Sequence, residues 1–235
     1  MISGLQKMTL LDYPGKVACT VFLQGCNFRC PFCHNSDLLG KEGPETIPVE
    51  TLMTFLKKRV GLLDAVCITG GEPTLQKDLG PLIRQIKALG FLVKLDTNGS
   101  RPQVLKALVE EGLVDYVAMD IKNSPSRYGA TVGLPNPDLS GVEESIRYLL
   151  EDHVAYEFRT TVADELHDEA SMEEMGAWLC SFLPGKKPRG HYIQPYVDRD
   201  SVLTQGLHTP EKQKLLDMAG KLALYADFVE IRGMD

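Results

Sequence analysis

The chain has 235 residues, of which 43% are hydrophobic and 24% charged, and its formal net charge is −7 at pH 7. With a mean hydropathy of −0.11, this composition is typical of a globular protein and excludes a chain dominated by disorder or by a coiled coil. The acidic balance argues against a nucleic-acid-binding protein, because such proteins use an excess of lysine and arginine to neutralise phosphates.

No apolar stretch reaches the 18 or more residues that a membrane-spanning helix needs, and residues 1–7 do not resemble a signal peptide. We therefore expect a cytoplasmic protein that does not interact with membranes. Thiols stay reduced in the cytoplasm, where clustered cysteines more often hold a metal than form disulfides.

Apolar strands alternate with amphipathic helices along the chain. The predicted strands span 17–23, 65–69, 91–95, 114–119, 154–162, 191–197 and 228–231. The predicted helices span 51–60, 79–89, 102–111, 142–150, 171–182 and 210–225, and the prolines and glycines of 123–139 predict a long loop. This alternation is typical of βαβ units with a parallel sheet, either doubly wound or closed into an incomplete barrel.

Polar and glycine-rich motifs follow each of the first four predicted strands. A cysteine cluster follows the first, Gly70-Gly71-Glu72 the second, Asp96-Thr97-Asn98-Gly99 the third and Asp120-Ile121-Lys122 the fourth. Functional residues of parallel α/β folds lie at the carboxyl ends of strands, so the motifs predict one site.

Cys26, Cys30 and Cys33 have the spacing C-x3-C-x2-C, whereas the other three cysteines are isolated and predicted to be small core residues. Cys30 to His34 also matches the C-x-x-C-H of c-type haem attachment, but that assignment leaves Cys26 unexplained. A thioredoxin-like pair, Cys30 with Cys33, leaves out the same cysteine.

Structural zinc, bound by the three cysteines and His34, has suitable ligand types, although adjacent Cys33 and His34 reach one ion with difficulty. A [4Fe–4S] cluster held by three thiolates explains the cysteines best. Such a cluster has one iron open to a substrate or cofactor.

The cysteine spacing, with Phe32 before the last cysteine, resembles that of the radical S-adenosylmethionine (SAM) enzymes. Together with Leu10-Leu11-Asp12-Tyr13-Pro14-Gly15 and His34-Asn35, it resembles the activating enzymes of glycyl radical enzymes. The N-terminal sequence is most similar to that of the activating proteins of anaerobic ribonucleoside-triphosphate reductase. The resemblance covers about residues 4–197 and implies a partial (β/α)6 barrel of the radical SAM type. We expect a single domain over 1–235, with its barrel core at about 15–200.

The resemblance also implies roles for the motifs. Cys26, Cys30 and Cys33 would ligate the cluster, and Gly70, Gly71 and Glu72 would receive the SAM amino group. Further residues implied to bind the cofactors are Phe32, His34, Asp96, Asp120 and Lys122, with a monovalent cation helping to neutralise the charge. A glycine-rich turn or a helix-capping aspartate remains the structural alternative for these motifs.

Two further residues, and one position at which this sequence differs from the family pattern, complete the expected site. Asp12 matches an acid near the substrate glycine loop in that family, although it also suits a turn before Pro14. Arg159 interrupts an apolar strand and needs an acidic partner, so a contact with SAM is a further hypothesis for it. Pyruvate formate-lyase activators carry a histidine where Val197 stands, and His191 or Gln194 are candidates to supply its contact.

The implied activity is the reductive cleavage of SAM to a 5′-deoxyadenosyl radical, which takes a hydrogen atom from a glycine of a partner glycyl radical enzyme. The expected partner enzyme is anaerobic ribonucleoside-triphosphate reductase, and the expected electron donor is a flavodoxin or ferredoxin. Two alternatives remain open. One is a small-molecule radical SAM enzyme similar to 7-carboxy-7-deazaguanine synthase, and the other is a non-catalytic zinc or thiol-redox module.

Overall fold

A computed structural model describes residues 1–40 and 46–233 of the chain. These residues divide into two compact units. The first unit holds the described residues of 1–27, 35–97 and 101–118, and the second holds those of 28–34, 98–100 and 119–233. In the described part, no helix is long and apolar enough to cross a membrane.

The first unit is built from strands and helices that alternate after an initial hairpin. Its strands are β1 (Ile2–Thr9), β2 (Ala18–Leu23), β3 (Ala65–Gly70) and β4 (Leu92–Thr97). Its helices are α1 (Val49–Lys57), α2 (Leu79–Ala88) and α3 (Pro102–Glu110), and strand β5 (Tyr116–Asp120) begins in this unit and ends in the second.

Parallel pairing joins β2 to β3 and β3 to β4, with Ala65 opposite Ala18 on one side and Leu92 on the other. Residues 65–68 of β3 are fully buried, as expected for a parallel strand covered by helices on its outer face. Helix α2 ends before Gly90, whose φ of +90° is a left-handed conformation that glycine adopts without strain. The predicted parallel sheet and the helix stop at Gly90 are confirmed.

Strand β1, which pairs antiparallel with β2, is absent from the sequence prediction. Only Ile2 and Thr9 of its eight residues are buried, so the strand lacks the apolar alternation by which strands are recognised. The hairpin between β1 and β2 carries Asp12.

The second unit repeats the alternation. Its strands are β6 (Ala155–Val162), β7 (His191–Pro195) and β8 (Val229–Ile231), and its helices are α4 (Pro125–Val132), α5 (Ser140–Leu150), α6 (Glu169–Ser181) and α7 (Lys212–Leu222). Strand β7 pairs in parallel with both neighbours, with Phe158 and Val229 on either side of His191.

The loop predicted over 123–139 is wrong in its first half, because α4 lies there. Pro125 stands at the first turn of the helix, where its missing N–H is not needed. Gly133, with φ +67°, ends the helix in the left-handed conformation. Proline and glycine here mark the two ends of a short helix, although their density is also typical of a loop.

Of the three isolated cysteines, Cys19 and Cys67 are fully buried in the first unit and confirm their predicted core role. Cys180 is only half-buried, and its Sγ lies 3.2 Å from the Tyr225 carbonyl oxygen. The core assignment is therefore too strong for Cys180, which lies on helix α6.

Candidate functional site

The cysteine loop follows β2. Cys26 belongs to the first unit, and Cys30 and Cys33 belong to the second. Cys30 is 7% exposed, whereas Cys26 and Cys33 are half-buried, and none of the three forms a disulfide. Gly25, with φ +88°, turns the chain out of the strand, and its N–H donates to the Leu38 carbonyl at 2.6 Å.

The second half of this loop is held by backbone contacts within the second unit. The Arg29 N–H donates to the carbonyl of Val132 at 2.8 Å, and a Cβ on Gly133 would lie 2.2 Å from the Arg29 carbonyl oxygen. Buried Phe32 packs against His167, with ring centroids 6.4 Å apart. These contacts fix the backbone on both sides of Cys30.

The donor set suits an iron–sulfur cluster better than a single ion. In residues 1–40 and 46–233, no three His, Cys, Asp or Glu side chains converge as one metal ion would require. Zinc needs all its ligands on one atom, whereas each thiolate of a [4Fe–4S] cluster binds a different iron. The His34 Nε2 is 2.7 Å from the Val197 carbonyl, so this nitrogen is already engaged within the protein.

Gly70 and Gly71 let the chain after β3 pass directly against the chain after β2. A Cβ on Gly71 would lie 2.1 Å from the Gly25 carbonyl oxygen, and one on Gly70 would lie 2.3 Å from the Leu23 carbonyl oxygen. The Glu72 N–H donates to the Gly25 carbonyl at 2.7 Å, and the Asn35 side-chain amide donates to the Gly70 carbonyl at 2.9 Å. These glycines therefore serve the packing of the cysteine loop itself.

Glu72 is 1% exposed and accepts hydrogen bonds from uncharged donors. The Thr74 N–H donates to its Oε1 at 3.0 Å and the Thr97 hydroxyl at 2.7 Å, and the Thr74 hydroxyl donates to the same oxygen. Hydroxyl and amide donors hold a carboxylate in place without cancelling its charge. The motif after β3 is thus joined to the motif after β4 through Thr97, which the sequence reasoning did not select.

A second polar group lies in the first unit around Cys67. The Thr20 hydroxyl donates to Asp12, and the ammonium of Lys94 donates to Asp96. Burial raises the pKa of the Cys67 thiol to about 12; the Lys94 cation opposes this rise, and the Asp96 and Asp12 carboxylates reinforce it.

Lys94 is only 1% exposed, and the sequence reasoning did not select it. Its signal in the sequence is a lysine in the middle of the apolar run 91–95. A buried ammonium needs an acidic partner, and Asp96, two residues later on the same face of β4, supplies it.

In the second unit, Asp120 lies between two cations. Its Oδ1 accepts from Arg159 Nε at 3.0 Å, and its Oδ2 accepts from the Lys122 ammonium at 3.0 Å. Burial by itself would raise the pKa of Asp120, but the two cations lower it to about 2. The acidic partner expected for Arg159 is therefore Asp120.

The pKa of Lys122 is raised by groups of the second unit. Burial opposes its charge, but the Asp120 carboxylate and then the Cys30 thiol raise the pKa of Lys122 above its ordinary value. The Lys122 carbonyl lies 2.9 Å from Nε2 of His167, the residue that packs on Phe32. The structure thus brings Asp120, Lys122 and Arg159 together in the second unit, and Cys30 is near enough to raise the pKa of Lys122.

The His34 side chain, from the cysteine loop, contacts the segment after β7, where Val197 stands in place of the histidine of pyruvate formate-lyase activators. Its ring stacks on Tyr196, with centroids 5.8 Å apart, and its Nε2 contacts the backbone of Val197. Burial lowers the pKa of His34. His191, by contrast, is fully buried on β7, with Nε2 2.8 Å from the Thr160 hydroxyl.

Comparison with known proteins gives the family. Residues 20–170 match the Radical SAM superfamily. A protein of Methanocaldococcus jannaschii, named as a glycyl-radical enzyme activating enzyme, is 33% identical over 242 residues, which cover 99% of this chain and 95% of that protein.

Two further similarities cover different shares of the proteins concerned. A 7-carboxy-7-deazaguanine synthase of Koribacter versatilis is 33% identical over 148 residues, which cover 63% of this chain and 62% of that enzyme. Among solved structures, a radical SAM methyltransferase from Sphaerobacter thermophilus has a TM-score of 0.73 at 16% identity, covering 96% of this chain and 68% of that one.

The chain belongs to the radical SAM superfamily, and the predicted fold class, α/β with a partial barrel of the radical SAM type, is confirmed. The full-length relative narrows the family to the activating enzymes of glycyl radical enzymes. As a radical SAM enzyme, the protein uses a [4Fe–4S] cluster and SAM, and its three cysteines on one loop have the donor chemistry that such a cluster needs.

Proposed function

We propose that this protein activates a glycyl radical enzyme, and that anaerobic ribonucleoside-triphosphate reductase is that enzyme. The observation that carries the proposal is the share of the chain that each relative matches. The relative named for glycyl radical enzyme activation matches 99% of the chain, whereas the deazaguanine synthase matches 63%. The sequence from Leu10 to Gly15, which includes Asp12, supports anaerobic ribonucleoside-triphosphate reductase as the enzyme that is activated.

When bound, the reduced cluster and SAM together supply a 5′-deoxyadenosyl radical, which removes a hydrogen atom from the partner's glycine. Within this scheme Cys26, Cys30 and Cys33 ligate the cluster. Glu72 receives the SAM ammonium, a role supported by the Thr74 N–H and the Thr97 hydroxyl, which hold its Oε1 with uncharged donors. The protein contributes ligation, orientation and the exclusion of water.

Asp120, Lys122 and Arg159 would serve the carboxylate end of SAM. The three groups form one ion-paired set with a surplus of positive charge, because one carboxylate faces two cations. A surplus positive charge beside Cys30 favours both an anionic SAM carboxylate and an anionic cluster. Lys122 holds its proton firmly, since its pKa is raised.

Asp12 is proposed to contact the glycine-bearing segment of the partner. It is half-buried in the β1–β2 hairpin, and the Thr20 hydroxyl anchors its carboxylate. Next to it, Leu10 and Leu11 are 68% and 89% exposed. Exposed apolar side chains beside a fixed carboxylate are suited to an incoming protein segment.

The test is a radical assay under anaerobic conditions. The reconstituted protein, SAM and a flavodoxin or ferredoxin with its reductase are mixed with anaerobic ribonucleoside-triphosphate reductase, and EPR spectra are recorded. A glycyl radical doublet is expected, and it should be absent when the partner's radical-bearing glycine is replaced by alanine. Formation of 5′-deoxyadenosine without a doublet on this reductase would reject it as the partner.

A small-molecule reaction is the second candidate, favoured by the similarity to 7-carboxy-7-deazaguanine synthase. The same reduced protein is incubated with SAM and a pterin substrate of that synthase, and the products are separated by liquid chromatography. Conversion of the pterin would support the second candidate, whereas unchanged pterin beside an active glycyl radical assay would exclude it.

A further inference from the structure

In the first unit, one face of the sheet carries a row of polar side chains across strands β2, β3 and β4. Cys67 of β3 lies opposite Thr20 on one side and opposite Lys94 on the other. Aligned residues of neighbouring parallel strands point to the same face of the sheet, so these three side chains share one face. All three are buried, and Lys94 is only 1% exposed. An ammonium group therefore lies in a row that is closed to water.

The acid that pairs with this ammonium is Asp96. Lys94 Nζ donates to Asp96 Oδ1, two residues further along β4, and 15% of the Asp96 side chain is exposed. The neighbours in the row add no charge, because Thr20 is a hydroxyl and burial raises the pKa of the Cys67 thiol to about 12. Within the row, the Lys94 ammonium is thus the charge that balances the Asp96 carboxylate.

A monovalent cation, which the family resemblance implies for the cofactor site, does not fit beside Asp96. It would meet the Lys94 ammonium at the same carboxylate, and like charges repel strongly at short range in a buried site. Displacing the ammonium would leave it buried without an acid, which is strongly unfavourable. Across the part of the chain that the structure describes, no three His, Cys, Asp or Glu side chains are grouped as a metal site requires.

We propose that the Lys94 ammonium takes the place of a monovalent metal ion at Asp96, so that the protein binds SAM without potassium or sodium. The chain itself then supplies the cation, at the position that strand β4 fixes. Lys94 is a positioning residue that acts through Asp96. The replacement of the ion rests on the Lys94–Asp96 pair alone, whereas the consequence for SAM rests on the proposed function.

The first experiment measures whether the native protein binds the ion, and it contains no SAM. Thermal unfolding of the reconstituted holoprotein is followed anaerobically in potassium, sodium or tetramethylammonium chloride at one ionic strength. Tetramethylammonium screens charges equally but is too large for an ion-sized site. The wild-type midpoint should be the same in the three salts.

Lys94→Met keeps most of the length of the side chain and removes its charge. The bare Asp96 carboxylate should then accept a metal ion, because carboxylate oxygens are the ligands that hard cations prefer. A ligand that binds only the native state stabilises it by mass action. The midpoint of this variant should therefore be about 3–10 °C higher in potassium or sodium than in tetramethylammonium.

Lys87→Met is the matched control. Lys87 lies on α2 in the same unit, and its ammonium contacts Asp115 Oδ2 at 2.7 Å. The two side chains of this pair are 25% and 27% exposed, so water can solvate the carboxylate once the ammonium is gone. Any stability that the control loses should be lost equally in the three salts.

The second experiment measures SAM affinity by anaerobic equilibrium dialysis in the same salts, with the cluster kept oxidised so that no turnover occurs. Wild type and Lys87→Met should bind SAM equally tightly in all three. Lys94→Met should bind SAM about 10- to 100-fold more weakly in tetramethylammonium and should recover in potassium or sodium.

A wild-type protein that itself shows either salt effect would overturn the proposal, and this comparison needs no variant to fold. So would a folded Lys94→Met that is insensitive to the salts in both measurements, because Lys94 would then serve packing alone. A salt effect on the unfolding of Lys94→Met without one on its SAM affinity would uphold the replacement of the ion and reject the place of Asp96 in the SAM site.

Discussion

The two units hold their key carboxylates in opposite ways. Glu72, in the first unit, is fixed by backbone packing at Gly71 and by donors that carry no charge. Asp120, in the second, is fixed by two cations. The difference fits the roles proposed for the two groups, because uncharged donors leave Glu72 able to pair with an incoming ammonium, whereas Asp120 already shares its charge with two cations.

Asp120→Asn should produce the largest effect, because it leaves two cations without their shared acid. Breaking a buried ion pair costs about 3–5 kcal/mol, and we expect the lower end because 28% of the Asp120 side chain is exposed. Chemical denaturation measures the loss. Asp164→Asn, which breaks an exposed pair with Lys214, is the control and should cost less than about 1 kcal/mol.

The pH dependence gives a second readout of the same pair. The pKa of Asp120 is lowered to about 2, so its contribution to stability is complete above the unfolded-state value of about 4. That contribution is lost as the pH falls from about 4 towards 2. The stability difference between wild type and Asp120→Asn should therefore narrow over this interval; a constant difference would contradict the ion-pair account.

Gly71→Ala should be nearly as damaging, but through sterics. The new Cβ would lie 2.1 Å from the Gly25 carbonyl oxygen, which is backbone and cannot rotate away. We expect a loss of about 1–3 kcal/mol in stability and a lower iron content after reconstitution. Gly220→Ala is the control, because no atom lies within 4 Å of its added Cβ and helix α7 should gain stability. Normal iron binding by Gly71→Ala would show that the loop tolerates displacement.

Glu72→Gln tests the charge of the first unit while keeping the shape. The amide oxygen can still accept from Thr74 and Thr97, so the free energy of unfolding should change little. SAM affinity should fall about 10- to 100-fold, since a hydrogen bond to a charged group contributes about 1.5–3 kcal/mol. Anaerobic equilibrium dialysis measures this affinity. An unchanged affinity would remove Glu72 from the SAM site.

Thr97→Val should have the smallest effect, because it removes one neutral donor of several. Stability should fall by about 0.5–1.5 kcal/mol, and SAM affinity by a few-fold as Glu72 becomes less firmly held. Thr51→Val, at an exposed position of α1, is the control and should leave both unchanged. If Thr97→Val lowered SAM affinity as much as Glu72→Gln does, the orientation of the Glu72 carboxylate would matter more for SAM binding than its charge.

The sequence by itself determined the class of the protein. Cysteine spacing, the Gly-Gly-Glu segment and the order of motifs after successive strands are local patterns, and each needs only a few neighbouring residues to carry its chemistry. Hydrophobic alternation likewise located most strands and helices. Strand β1 was not predicted because its side chains are largely exposed. Helix α4 was not predicted because Pro125 and Gly133 also suit a loop.

Tertiary structure decided which of these groups meet. Thr97 reaches Glu72 because parallel pairing brings the carboxyl ends of β3 and β4 side by side, and Arg159 reaches Asp120 over 39 positions of the chain. The buried Lys94 looks like an ordinary member of a strand until its surroundings are seen. Spacing along the chain encodes ligand type, whereas register and helix packing set the distances that give each charge its partner.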